Sequence, residues 1–127
     1  TGNTTKNGAV TPLFLPDIAI LDADLTLGLP PHVTAATGID AMVHAIEAYT
    51  GKYKKNPMSD LMAKEALRLM AGSIRNAVND GCNKKAREDM LLGAMLAGQA
   101  FANSPVAAVH ALAYPLGGAF PHSSRAK

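Results

Sequence analysis

A chain of 127 residues is long enough for one domain with a real core. With 48% hydrophobic and 17% charged residues it has globular rather than disordered composition, and a formal charge of +2 is too small to imply nucleic acid or an anionic membrane as partner. The single cysteine, Cys82, excludes an internal disulfide, and no leader peptide or apolar run of spanning length is seen, so a soluble cytoplasmic protein is expected.

Aromatic residues make up only 5% and tryptophan is absent, so the core must rest on Ala, Leu, Met and Val. Small, straight side chains of that kind favour close-packed helices. In chain order, residues 1–11 are polar with two glycines and read as a loop or hairpin. Residues 15–21 form a short apolar run bounded by Pro16 and Asp22, as in a buried strand. Pro30 and Pro31 then stand where a helix can open, which puts a boundary near Leu29. The expected division is residues 1–29, the tail of an α/β or β unit, and residues 30–127, a helical domain.

The first helix is expected over residues 31–50, either continuous or broken at Gly38, and closed by Gly51 as C-cap. The K-Y-K-K-N-P segment after it reads as a solvated basic loop. A second helix opens with Asn56 or Ser59 as cap and Pro57 in its first turn. Leu61, Met62, Ala66, Leu69, Met70 and Ile74 recur at helical spacing along it up to Val78, a Met-rich stripe that reads as core. A third starts at Asn83, with K-K-A-R-E-D in exposed first turns. It then turns apolar and small, and Gly93, Ala97 and Gly98 invite close approach by a neighbour. Asn103-Ser104-Pro105 breaks it. The fourth, V-A-A-V-H-A-L-A-Y, is expected to end at Pro115 and Gly117-Gly118. The fold class is therefore mainly α: an antiparallel helix bundle preceded by a short β/loop segment.

The chemistry concentrates in T-G-I-D-A-M-V-H-A-I-E-A-Y, residues 37–49. Asp40 and His44 lie four apart with no breaker between them, which stacks the two side chains on one helical face, one turn apart. A carboxylate and an imidazole pointing the same way can chelate a divalent cation, and the mixed O/N set suits iron or zinc better than calcium. His110 lies mid-helix among apolar neighbours, and His122 follows a proline after two glycines. Asp40, His44, His110 and His122 together would leave coordination positions open, as a Lewis-acid metal requires. The blander alternative is an exposed aspartate with histidines satisfied in the core. Glu47, three residues after His44, reads either as solvent-exposed or as a group that orients a ligand.

The run L-P-D-I-A-I-L-D-A-D-L-T-L-G-L-P-P-H-V-T-A-A-T-G-I-D-A-M-V-H-A-I-E-A-Y, followed by A-G-Q-A-F-A-N and V-H-A-L-A-Y-P-L-G-G, resembles the iron-containing (group III) alcohol dehydrogenases. The likeness extends over residues 6–122. It implies part of a dehydroquinate synthase-like helical domain, with residues 1–29 left from the cofactor-binding domain. It also implies a metal, Fe²⁺ or Zn²⁺, held by Asp40, His44, His110 and His122, and reversible hydride transfer between a small alcohol or aldehyde and NAD or NADP. Lys6 falls where the family has a lysine near the cofactor. Tyr114 stands where many members have a further histidine, thought to relay protons.

The chain also departs from that pattern. The family's dinucleotide-binding domain lies upstream, and no Gly-rich phosphate turn occurs here. The interval between the histidines matching His110 and His122 is two residues shorter than in the family, and S-S-R-A-K does not continue its pattern. The expectation is that this chain alone does not turn over alcohol and that its exposed apolar surface drives homo-oligomerisation. The competing class is a non-enzymatic helical metal-binding or assembly module. A hydrolase using metal-bound water also fits the donor set, but no separate general base is placed for it.

Overall fold

The computed structural model describes residues 11–104 and 108–119, and its contacts divide the chain into two compact units. One spans Ile20–Val106; the other is drawn from Thr1–Ala19 and Ala107–Lys127. The described residues contain four α-helices and two 3-10 turns, so the architecture is mainly α as expected. None of the helices is long and apolar enough to cross a membrane.

The larger unit holds α1 (Pro31–Thr50), α2 (Pro57–Asn79) and α3 (Lys84–Asn103), with a 3-10 turn at Ala23–Thr26. Short connections make successive helices antiparallel neighbours, and α2 packs most extensively on α3, with α1 against both. Local chemistry places most of the helix ends. Pro31 sits at the first position of α1, where a missing N–H costs nothing. The Asn56 side chain accepts from the Ser59 N–H at 3.0 Å to cap α2, and Asn83 does the same for Ala86 at 3.0 Å in α3. Gly51 ends α1 as expected by position but not by conformation. Its φ of −59° is not left-handed, and its N–H donates to the Glu47 carbonyl at 2.8 Å.

The core of this unit is built from very small residues. Ala45, Ala48, Ala63, Ala66, Ala97 and Ala100 are fully buried, and Met70 is the largest side chain fully enclosed with them. Alanine pairs let helix axes come close, so the backbone itself fills much of the space. Gly93 is the tightest point: a β-carbon there would stand 2.5 Å from Met70 Cγ and 3.2 Å from the Ala66 carbonyl oxygen. Gly98, expected to do likewise, has nothing within 4 Å of such a carbon. Gly38 does not interrupt α1. It is buried, and a β-carbon would meet Met90 Cε at 2.7 Å, so the residue serves close packing rather than a break. In α2 the stripe turns by a fraction of a step: Ala63 is enclosed, whereas Leu61 is 62% exposed.

Two regions expected to be solvated are tied down. Arg87, read as part of an exposed first turn, is only 3% exposed. Its guanidinium donates to the Gly81 carbonyl (3.1 Å), the Thr34 hydroxyl (2.8 Å) and the Leu29 carbonyl (3.3 Å). One planar fork thus joins the entry to α1, the turn before α3 and α3 itself. The basic loop is also structured. Lys55 donates to the Tyr49 carbonyl at the end of α1 and to Asp60 at 2.5 Å in α2, with its ammonium 4.2 Å from the Tyr49 ring centre. Lys54 beside it adopts φ 57°, a left-handed backbone that favours glycine.

The expected strand over residues 15–21 does not form. Those residues have no regular structure, and Ile18 and Ile20 are 79% and 87% exposed. A strand exists only through a hydrogen-bonded neighbour, and the described residues contain none. The β/loop segment therefore takes its loop form, with a 3-10 turn at Pro12–Phe14.

In the second unit α4 runs Ala108–Ala119, past the residues expected to stop it. Pro115 lies inside it. A proline keeps a helical φ and forfeits one backbone bond, which weakens or kinks a helix without necessarily ending it. Val109, Leu112 and Leu116 on this helix are exposed.

Candidate metal centre

The unbroken α1 carries Asp40 and His44 on successive turns. At 100° per residue the two project about 40° apart, and Glu47 projects about 20° beyond Asp40 on the side away from His44, so the three share one face about 60° wide. Each of these residues directly precedes one that faces the core: Asp40 before Ala41, His44 before Ala45, Glu47 before Ala48. The donor stripe therefore runs alongside the packing seam, a little over a quarter turn from it.

Burial increases along the stripe. Asp40 is exposed, His44 half-buried, and Glu47 only 4% exposed. Its burial overturns the exposed reading of this residue, since a carboxylate this deep is costly unless its environment compensates the charge. The imidazole of His44 is stacked on the Phe101 ring of α3, centroids 4.6 Å apart and planes inclined by 28°.

His110 belongs to α4 and is 8% exposed. Tyr114, one turn further on, meets it edge-on with ring centres 6.2 Å apart and planes at 73°. The tyrosine is 39% exposed, so its ring lies at the surface of its helix. His122 and Lys6 lie outside the described residues; of the interval that leads to His122, residues 111–119 belong to α4 and residues 120–121 are not described.

Asp40, His44 and His110 each offer one ligand atom, a carboxylate oxygen or an imidazole nitrogen. Such a set suits Fe²⁺ or Zn²⁺, borderline cations that accept mixed nitrogen and oxygen donors. The chemistry of the donors therefore fits the metal that the sequence suggests. The residues the sequence reading undervalued are Phe101, Glu47 and Arg87. Phe101 stands 57 residues from its histidine partner, and no periodicity connects the two. The only local signal for Glu47 was its place on the same helical face.

Residues 34–125 match the model of the Fe-containing alcohol dehydrogenase family, C-terminal. The chain is 54% identical over 117 residues to long-chain-alcohol dehydrogenase 1 of Geobacillus thermodenitrificans, covering 92% of this chain and 29% of that one. It is 49% identical over 110 residues to the 1,3-propanediol dehydrogenase of Citrobacter freundii, covering 85% and 28%. Among solved structures, a mutant of an archaeal halo-thermophilic Red Sea brine pool alcohol dehydrogenase superposes with a TM-score of 0.87 at 33% identity, over 94% of this chain and 29% of that one. A sulfoacetaldehyde reductase from Bifidobacterium kashiwanohense, solved in complex with NAD⁺, superposes with a TM-score of 0.80 at 36% identity, over 85% and 28%. The chain thus spans less than a third of the length of these relatives. Over that span it belongs to the iron-containing alcohol dehydrogenase family.

Proposed function

We propose that this chain provides the metal-binding part of an oxidoreductase of alcohol dehydrogenase type, which moves a hydride between a small alcohol or aldehyde and NAD or NADP. Asp40 and His44 would hold the cation from one face of α1, with His110 and His122 as the further donors. A bound Fe²⁺ or Zn²⁺ would supply Lewis-acid polarisation of the alcohol oxygen, making its proton easier to remove and the carbon-bound hydride easier to transfer. Tyr114 beside His110 offers a hydroxyl through which that proton can pass toward solvent. A bound nicotinamide would supply the hydride acceptor, and Lys6 is the residue assigned to its neighbourhood. Residues 1–29 belong with the cofactor-binding side and residues 30–127 with the metal-binding side. This chain alone does not oxidise alcohol, because its sequence holds no Gly-rich turn to cradle a dinucleotide.

One observation carries the proposal: α1 runs unbroken through residues 40–44, so Asp40 and His44 keep the one-turn spacing a chelate needs. Titration of the purified chain with Co²⁺, a spectroscopic stand-in for Fe²⁺ and Zn²⁺, tests it. Binding is expected, and Asp40→Ala and His44→Ala should each weaken it by more than about tenfold, at least the loss usual for outer partners of a metal site. Equal binding by all three chains would leave a helical module without this chemistry.

A further inference from the structure

We propose that Phe101 is a positioning residue for His44, holding the imidazole plane in the orientation from which its nitrogen can reach a metal. The inference rests on the metal-binding reading of Asp40 and His44 and adds a residue that the donor set does not contain. The ring torsion of a histidine is broad and roughly two-fold, so a helical position alone does not decide where the nitrogen lone pairs point. A ligating lone pair lies in the ring plane, and fixing the plane therefore confines ligation to directions within it. The Phe101 ring does this from one side, stacked at 4.6 Å and inclined by 28°.

Phe101 is itself restrained. It comes from the last turn of α3, one residue after the fully buried Ala100, and packs on the cluster that contains Ala45, Ala48 and Ala97. Ala45 and Ala48 follow His44 along α1 and Ala97 stands on α3, so the rigidity of the α1–α3 contact passes to the imidazole through one aromatic face. A phenyl ring is suited to this task because it has no donor or acceptor to compete for the imidazole nitrogens. A side chain that touches a ligand without bonding to its nitrogens sets the geometry of the site and leaves its charge unchanged.

The test uses the intact chain, Phe101→Leu and Phe101→Met, which keep apolar bulk, and Phe101→Tyr, which keeps the ring. In the metal-free chains, the His44 ring protons observed by NMR should show an upfield shift in the parent and Phe101→Tyr that is lost in Phe101→Leu and Phe101→Met. With Co²⁺, the Leu and Met variants should bind about tenfold more weakly, the lower end of what outer partners of a metal site contribute. Their visible d–d bands should also move, while Phe101→Tyr stays close to the parent. Leu and Met variants with parental affinity and unchanged bands would overturn the inference and leave the metal centre standing. A parent chain that binds no Co²⁺, or His44→Ala binding as well as the parent, would bring down the metal reading and this inference with it.

Discussion

The packing seam and the donor stripe of α1 run side by side on one helix, yet different requirements shape them. Along the seam, Gly38, Ala41, Ala45 and Ala48 carry almost no side chain, because α2 and α3 occupy the space. Along the stripe, Asp40, His44 and Glu47 carry functional groups that a close-packed contact would leave unsatisfied. A shift of one residue separates the two. The arrangement teaches that an alanine core gives a short chain a rigid backbone while the adjacent face of the same helix carries longer polar side chains.

The comparison breaks first where the seams are tightest. Gly93→Val should cost about 3 kcal/mol, the upper range for overpacking, because the nearest obstacle, Met70, is fully enclosed and the Ala66 carbonyl cannot move aside. For a domain of this size that lowers Tm by roughly 10 °C or more in a thermal melt. An unchanged melt would mean that α2 and α3 are less closely joined than the structure shows. Gly38→Ala probes the same idea where the obstacles, Met90 Cε and Ile74 Cδ1, are flexible ends of side chains. Here the helix-propensity gain of about 1 kcal/mol offsets the crowding, so the net change should be smaller than that, and a loss as large as at Gly93 would contradict the distinction.

On the donor side, Asp40→Ala should shift stability by no more than about 0.5 kcal/mol, as usual for exposed positions, while removing metal binding. A chemical denaturation curve that moves strongly would show that the stripe also carries the fold. The smallest effect expected is one of pH, at the polar edge of the α2–α3 contact. The Lys85 ammonium, 2.6 Å away, holds the Asp89 carboxyl below its ordinary pKa, and the Ser73 hydroxyl, donating at 3.0 Å, acts in the same direction. The folded state therefore binds this proton less readily than the unfolded chain. Its contribution is complete above the ordinary aspartate pKa and is lost as pH falls below that value through the folded one. Asp89→Asn should flatten that acid limb slightly in melts run across the range. An identical limb in the variant would assign it to other carboxylates.

Much of this molecule was legible because its signals are local. The spans of α1, α2 and α3 follow from periodicity, from Pro31 and Pro57 at first-turn positions, and from Asn56 and Asn83 as caps, none of which needs a distant partner. The Asp40–His44 spacing on one face is local in the same way, and so is the family likeness carried by the surrounding motif. Four features were decided only by the tertiary structure. Gly38 packs rather than breaks because Met90 and Ile74 meet it from other helices, and Arg87 is buried because the acceptors of Leu29 and Thr34 lie more than 50 residues away. Residues 15–21 form no strand because a strand is defined by its neighbour, and His44 is stacked on Phe101 by a contact that no spacing announces. The physical reason is the same throughout: helix propensity and capping act within a turn, whereas burial, close approach and ring stacking belong to pairs of residues that only folding brings together.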